Sequence, residues 1–153
     1  ASIVGMFEST IARFTALAVL MPVVAGQSGN AGAQALAVTM RGLVLREISL
    51  RQWPCLVWKE AGAGFINGLA IALTTSLGVW IWSRSLGLVM IIATAMVISM
   101  SVACIAGAMV PILMRRFGQD PATASSIFLT TVTDVTGFLS FLGIATLLSG
   151  RHE

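Results

Sequence analysis

In the apolar stretch covering residues 122–149, a single interior position carries a charge, Asp134. Asp134 lies fourteen residues after Asp120, about 20 Å along a helix. If the stretch crosses a bilayer, that depth is near the midplane, where a carboxylate costs roughly 2.5–3.5 kcal/mol. Such a group needs water, a partner or a cation. No lysine or arginine sits at matching depth, because Arg41 and Lys59 fall near block ends and can snorkel to water. Two states remain: a protonated structural aspartate, or a carboxylate facing a cation path. Ionisable groups inside a membrane default to function. Ser126, Thr130, Asp134 and Gly137 follow at spacings of four, four and three, which places them in one polar, small-residue stripe on a helix. Thr123, Thr131 and Thr133 spread around the same helix, where hydroxyls commonly satisfy themselves on a preceding carbonyl.

A second cluster, PVVAGQSGNAGAQ (residues 22–34), interrupts another apolar stretch. Gln27, Asn30 and Gln34 recur at three and four and share a face. Gly26, Gly29 and Gly32 recur at three. Close helix packing and interhelical amide bonds account for such residues. An opened helix accounts for them too, since irregular backbone at membrane depth is tolerated beside a water-filled cavity. On that view a break is expected between Pro22 and Gly32, with freed carbonyls. Carbonyls, amides and a carboxylate are hard oxygen ligands suited to magnesium or calcium. Magnesium dehydrates reluctantly, so a site for it needs acceptors arranged around a hydrated ion. The residue types do not separate magnesium from calcium, manganese or a proton.

The elements that position these groups follow from composition. Of 153 residues, 57% are hydrophobic and 10% charged, against roughly 25% charged in a soluble domain. The mean hydropathy of +0.94 agrees. The apolar residues form blocks near the ~20 residues that span a bilayer, so the expected class is an all-α, multi-pass membrane protein with the lipid bilayer as a partner. The membrane segments are expected at 8–46, 60–83, 86–114 and 122–149, preceded by a short stub at 1–7. The stretch from Arg46 to Glu60, with two tryptophans and Pro54, suits a membrane-surface connector. Cys55 and Cys104 are too sparse for a zinc site or disulfide framework. His152 belongs to the polar tail. The net charge of +3 lies between apolar blocks, so it speaks to topology and not to nucleic acid. Arg41, Arg46, Arg51, Lys59, Arg115 and Arg116 fall in two connectors on one side, against Arg13, Arg84 and Arg151 on the other. That bias places the basic connectors in the cytoplasm and the C-terminus outside. One carboxylate, no interior histidine and no nucleophile–base pair argue against an enzyme.

Three segments resemble the MgtE-type magnesium channels and transporters. MPVVAGQSGNAGAQALAVTMRGL (21–43) is similar to that family's second helix, KEAGAGFINGL (59–69) to the start of its third, and RRFGQDPATASSIFLTTVTDVTGFLSFLGIA (115–145) to its fourth-to-fifth connector and fifth helix. The resemblance implies a bundle of five transmembrane helices per subunit, with residues 1–7 a remnant of the first. It implies a homodimer with a cation pore at the subunit interface, lined by the second and fifth helices. Residues 1–153 would then form one transmembrane cation-channel domain. The family's acidic pore residue lands on Asp134, a polar pore residue on Ser126, and a residue presenting its backbone carbonyl on Thr130. Ser126 stands where bacterial members often carry asparagine, and SGN stands for the commoner GGN. Many members also carry an N-terminal cytoplasmic regulatory domain, which is not among residues 1–153.

The expected function is therefore permeation of a divalent cation, foremost hydrated Mg2+, with Asp134, Thr130 and Ser126 as ion-facing residues and Gly26, Gly29, Asn30, Gln34 and Gly137 lining the pore. A sodium- or proton-coupled exchanger is the alternative, and a non-transporting membrane scaffold a third.

Overall fold

The computed structural model describes residues 15–48 and 52–149, together with Ile3 and Met6. The expectations for most of 1–14, for Arg51 and for the tail from Gly150 lie outside the described residues. Among the described residues, four long helices follow one another: α1 (Thr15–Val44), α2 (Trp53–Ser83), α3 (Leu86–Arg116) and α4 (Pro121–Ser149). No strand occurs among the described residues. Among the described residues, three helices are long and apolar enough to cross a membrane: Trp53–Ser83, Leu86–Arg116 and, within α4, Ser125–Leu147. α1 is as long, at 30 residues, but Gln27, Ser28, Asn30 and Gln34 dilute its apolar centre.

Two expectations are corrected. The break between Pro22 and Gly32 does not occur, because α1 runs unbroken through both. Pro22 removes one backbone donor, so it deprives one carbonyl, that of Ala18, of its helical bond. Of the glycines downstream, Gly32 is held in place by α3 and α4, against Ala103, Leu129 and Thr133. The surface connector is also shorter than expected. α2 starts at Trp53, with Pro54 in its first turn, a position where the missing N–H costs nothing. α1 ends by folding back on itself: Arg46 adopts φ 58°, and the N–H groups of Glu47 and Ile48 both donate to the Gly42 carbonyl at 3.0 and 3.2 Å.

Small residues set the packing. A Cβ at Gly107 of α3 would overlap the Gly32 carbonyl of α1 and come within 3.0 Å of the Leu36 nitrogen. Eight residues further along α3 and eleven beyond Gly32 on α1, the Arg115 guanidinium donates to the Leu43 carbonyl at 3.1 Å. α1 and α3 therefore run parallel, backbone to backbone. α2 lies antiparallel to α3, with Gly64 against Met100 and Ser101 and Gly68 against Val97. α4 lies antiparallel to α1, with Gly32 against Leu129 and Thr133 and Gly137 against Ala25 and Ser28. The order is up-down-up-down, with short connections as expected of antiparallel neighbours. α3 packs on all three other helices, α1 also meets α4, and α2 packs chiefly on α3. Where lipid is as apolar as leucine, such close backbone approach supplies much of the association energy. Leu20, Val24, Ile92, Met96, Phe141 and Leu142 fill the main core among α1, α3 and α4.

Candidate cation site

Along α4, every fourth residue from Ser125 builds a buried ridge: Ser125, Leu129, Thr133, Gly137, Phe141 and Ala145. A row at i±4 is what packs into the groove of a neighbouring helix. The adjacent row, Ser126, Thr130 and Asp134, is exposed. The single stripe expected from spacing thus divides in two. Ser126, Thr130 and Asp134 stay together on the open face, while Gly137 belongs to the packed ridge. A Cβ on Gly137 would lie 3.4 Å from both the Ala25 Cα and the Ser28 Oγ, so this glycine lets α1 and α4 approach.

Asp134 sits thirteen residues into the 29-residue α4, about 20 Å from its start. Its carboxylate makes no hydrogen bond or ion pair among the described residues. The hydroxyls nearby turn their protons inward. Thr130 Oγ1 donates to the Ser126 carbonyl at 2.9 Å, Thr131 Oγ1 to Ile127 at 3.0 Å, and Thr133 Oγ1 to Thr130 at 3.0 Å. A hydroxyl whose single proton is committed to the helix presents only lone pairs outward. The open face of α4 is therefore acceptor-rich: a carboxylate and the exposed Thr130 and Thr131 oxygens.

Height on α1 is set by Gly32, whose missing Cβ would touch Thr133 Cγ2 at 3.2 Å. Asn30 and Gln34 flank Gly32 by two residues each, so they lie within about 3 Å of its level along the axis. Both are exposed. Two residues is a turn of about 200°, so both point away from the α4 contact made by Ala25, Ser28 and Gly32. One chain brings the amides and the carboxylate to one depth but not into one pocket. Gly26 and Gly29 have open space above them, and a Cβ added to either would meet no atom within 4 Å. No group of three or more His, Cys, Asp or Glu that could hold a metal exists among the described residues, so each chain offers one carboxylate among neutral oxygens.

Spacing alone had missed three residues. Thr133 ties up the Thr130 carbonyl and is buried against Gly32. Ser28, fully buried, donates to Ala25 at 3.0 Å and faces Gly137. Gly107 forms the closest crossing. The run at every fourth position from Ser125 was the available signal for Thr133. Its mixture of serine, threonine and glycine hid it from a search for apolar periodicity.

Comparison with known proteins identifies the family. The MgtE family, described as divalent cation transporters, matches residues 21–144. Magnesium transporter MgtE of Thermus thermophilus is 37% identical over 147 residues, covering 96% of this chain and 32% of that protein. Magnesium transporter MgtE of Enterococcus faecalis is 35% identical over 147 residues, with the same coverage. That of Bacillus subtilis is 31% identical over 145 residues, covering 95% of this chain and 32% of the relative. The chain spans about a third of the length of these relatives. Four helices with small-residue crossings, a lone carboxylate at mid-depth and a match over most of the chain lead to one assignment: the chain belongs to the MgtE family of divalent cation transporters, membrane proteins that carry ions rather than enzymes.

Proposed function

We propose that this chain forms the conducting part of a divalent-cation pathway, with hydrated Mg2+ as its substrate, and that two copies assemble around the pore. The observation that carries this reading is Asp134: a carboxylate at the middle of a membrane-spanning helix, exposed and unpartnered among the described residues. Facing lipid, it would carry an uncompensated cost of several kcal/mol. A second subunit and a water-filled path between the copies remove that cost. The relatives' description as magnesium transporters supports the choice of ion.

In this reading Asp134 is the acidic selectivity residue. Two copies across a dimer axis repel one another, and a divalent cation between them relieves that repulsion better than a monovalent one. The waters on magnesium are hydrogen-bond donors toward the protein, so they need acceptors. Thr130 and Ser126 supply them on α4, and Asn30 and Gln34 on α1. Gly26 and Gly29 leave room for the ion's hydration shell or for the partner's helix. Gly137 acts from behind the lining, holding α4 against α1. The Thr130 backbone carbonyl already accepts the Thr133 hydroxyl and, within the helix, an N–H, so the Thr130 side-chain oxygen is the better candidate for contact with the hydrated ion. A fifth helix per subunit, cytoplasmic basic connectors and an external C-terminus belong to the same proposal.

Ion flux into proteoliposomes tests it. Wild type should pass Mg2+ without a sodium or proton gradient, and Asp134→Ala and Asp134→Asn should reduce divalent flux at least ten-fold. Wild-type divalent flux in both variants would sink the role of Asp134. Flux that requires a sodium or proton gradient would replace the pore with a coupled exchanger. Dimers that form but pass no ion would leave a scaffold.

A further inference from the structure

One end of the bundle gathers cations that the ion pathway does not use. Because α1 and α3 run parallel and the connections are short, the C-termini of α1 and α3 and the N-termini of α2 and α4 meet at this end. The end charges of the four helices, about half a unit each, cancel in pairs. The side chains do not cancel. Arg41, Arg46, Lys59, Arg115 and Arg116 are all exposed there, against Glu47, Glu60 and Asp120. Five cations against three acids leave a net +2 among the described residues, while Arg84 marks the opposite end.

The Arg115 side chain and the Arg46 backbone meet at one carbonyl. The Leu43 carbonyl accepts both the Arg115 guanidinium at 3.1 Å and the Arg46 backbone N–H at 3.4 Å. The left-handed turn at Arg46 fixes the chain's exit just where Arg115 crosses from α3. Directly beside them, Val44 and Leu45 are 75% and 53% exposed. Trp58 and Phe117 are exposed at the same end, in the manner of an interfacial aromatic belt. A soluble phosphate compound would use the cations and leave this apolar shoulder in water. A phospholipid uses both.

We propose that this end of the bundle, centred on Arg41, Arg46 and Arg115, binds anionic phospholipid, with the headgroup phosphate on the arginines and the acyl chains along Val44 and Leu45. The proposal is independent of ion conduction. Basic residues next to a membrane are drawn to anionic lipid, and the attraction fades within a Debye length as salt rises.

The test uses the chain's own tryptophans, four in all. In a Trp80→Phe/Trp82→Phe background, only Trp53 and Trp58 report, both at the basic end. The protein is reconstituted into vesicles of phosphatidylcholine with a fixed fraction of brominated phosphatidylglycerol or brominated phosphatidylcholine, and quenching is compared. The expected preference for the anionic lipid is about five-fold, the factor one basic residue contributes near such a surface. High salt and Arg41→Gln/Arg46→Gln should each abolish it. The converse background, Trp53→Phe/Trp58→Phe, reports from the other end and should show no preference. The double arginine variant spares Arg115 and its bond to Leu43, and a circular dichroism spectrum like wild type verifies its fold. Equal quenching by both lipids, a preference that survives the arginine changes, or an equal preference at the Trp80 end would each overturn the proposal.

Discussion

Thr39 and Thr133 invite the same substitution with opposite outcomes. Both are buried, Thr39 at 0% and Thr133 at 1% exposure. The Thr133 hydroxyl donates to the Thr130 carbonyl at 3.0 Å, whereas the Thr39 hydroxyl has no hydrogen-bond partner among the described residues. Valine is nearly isosteric with threonine and equally β-branched, so side-chain stiffness and helix propensity barely change. What changes is one hydroxyl. An unsatisfied buried hydroxyl costs about 1–3 kcal/mol, and Thr39→Val removes that cost. A gain of about 1 kcal/mol is expected, since a methyl refills the space. Thr133→Val instead forfeits a satisfied bond, a net loss of about 0.5–1.5 kcal/mol. The Thr130 carbonyl keeps its helical bond, so the loss should fall at the low end. The assay is reversible unfolding of the purified chain in mixed micelles, followed by helical circular dichroism. Opposite signs are the expected result. A loss of about 1 kcal/mol or more for Thr39→Val would refute the reasoning, since it would mean that the hydroxyl holds a bond, such as one to an ordered water.

Glycine substitutions separate packing from lining. Gly107→Ala forces a Cβ onto the Gly32 carbonyl and should destabilise the chain by about 1–3 kcal/mol, while Gly78→Ala, with open space above it, should be neutral or stabilising in the same unfolding assay. Gly26→Ala and Gly29→Ala meet nothing within one chain. They should leave single-chain stability unchanged yet lower Mg2+ flux or dimer content, read by proteoliposome uptake and crosslinking. Ser126→Asn lengthens a side chain on the acceptor row and should shift the Mg2+ dependence of flux without altering unfolding. Identical flux curves would place Ser126 outside the path.

The all-helical class was legible because long apolar blocks admit few alternatives in a bilayer. The start of α2 was misjudged because Trp53, Lys59 and Glu60 look interfacial, whereas Pro54 at the first turn was the truer signal. The continuity of α1 was hidden for a different reason. Pro22 and three glycines weaken a helix locally, and only tertiary contact, such as Gly32 wedged between Ala103, Leu129 and Thr133, decides that it holds. At the candidate site, Asp134 stood out by its charge alone. Gly137 was grouped with it by spacing, yet an axis neighbour on a helix can belong to a different row, and the row that packs is chosen by the partner helix. The amides of Asn30 and Gln34 share the depth of Asp134, but depth carries no information on which way a face turns.

The two attachments between α1 and α3 have a mechanical consequence. At one point the backbones touch, Gly107 on Gly32; eight residues on along α3, about 12 Å of its axis, Arg115 grips Leu43. A rod pinned at one point can swivel, but a rod pinned at two cannot. α1 and α3 therefore translate and tilt as one strut. α4 meets that strut through a ridge whose small residues, Ser125, Thr133 and Gly137, are interspersed with the buried Leu129 and Phe141. In the proposed pathway between two copies, movement of α4 over the strut would carry Asp134 with it and change the width of the path. A crosslink between α1 and α3 should leave such motion intact, and one between α1 and α4 should freeze it.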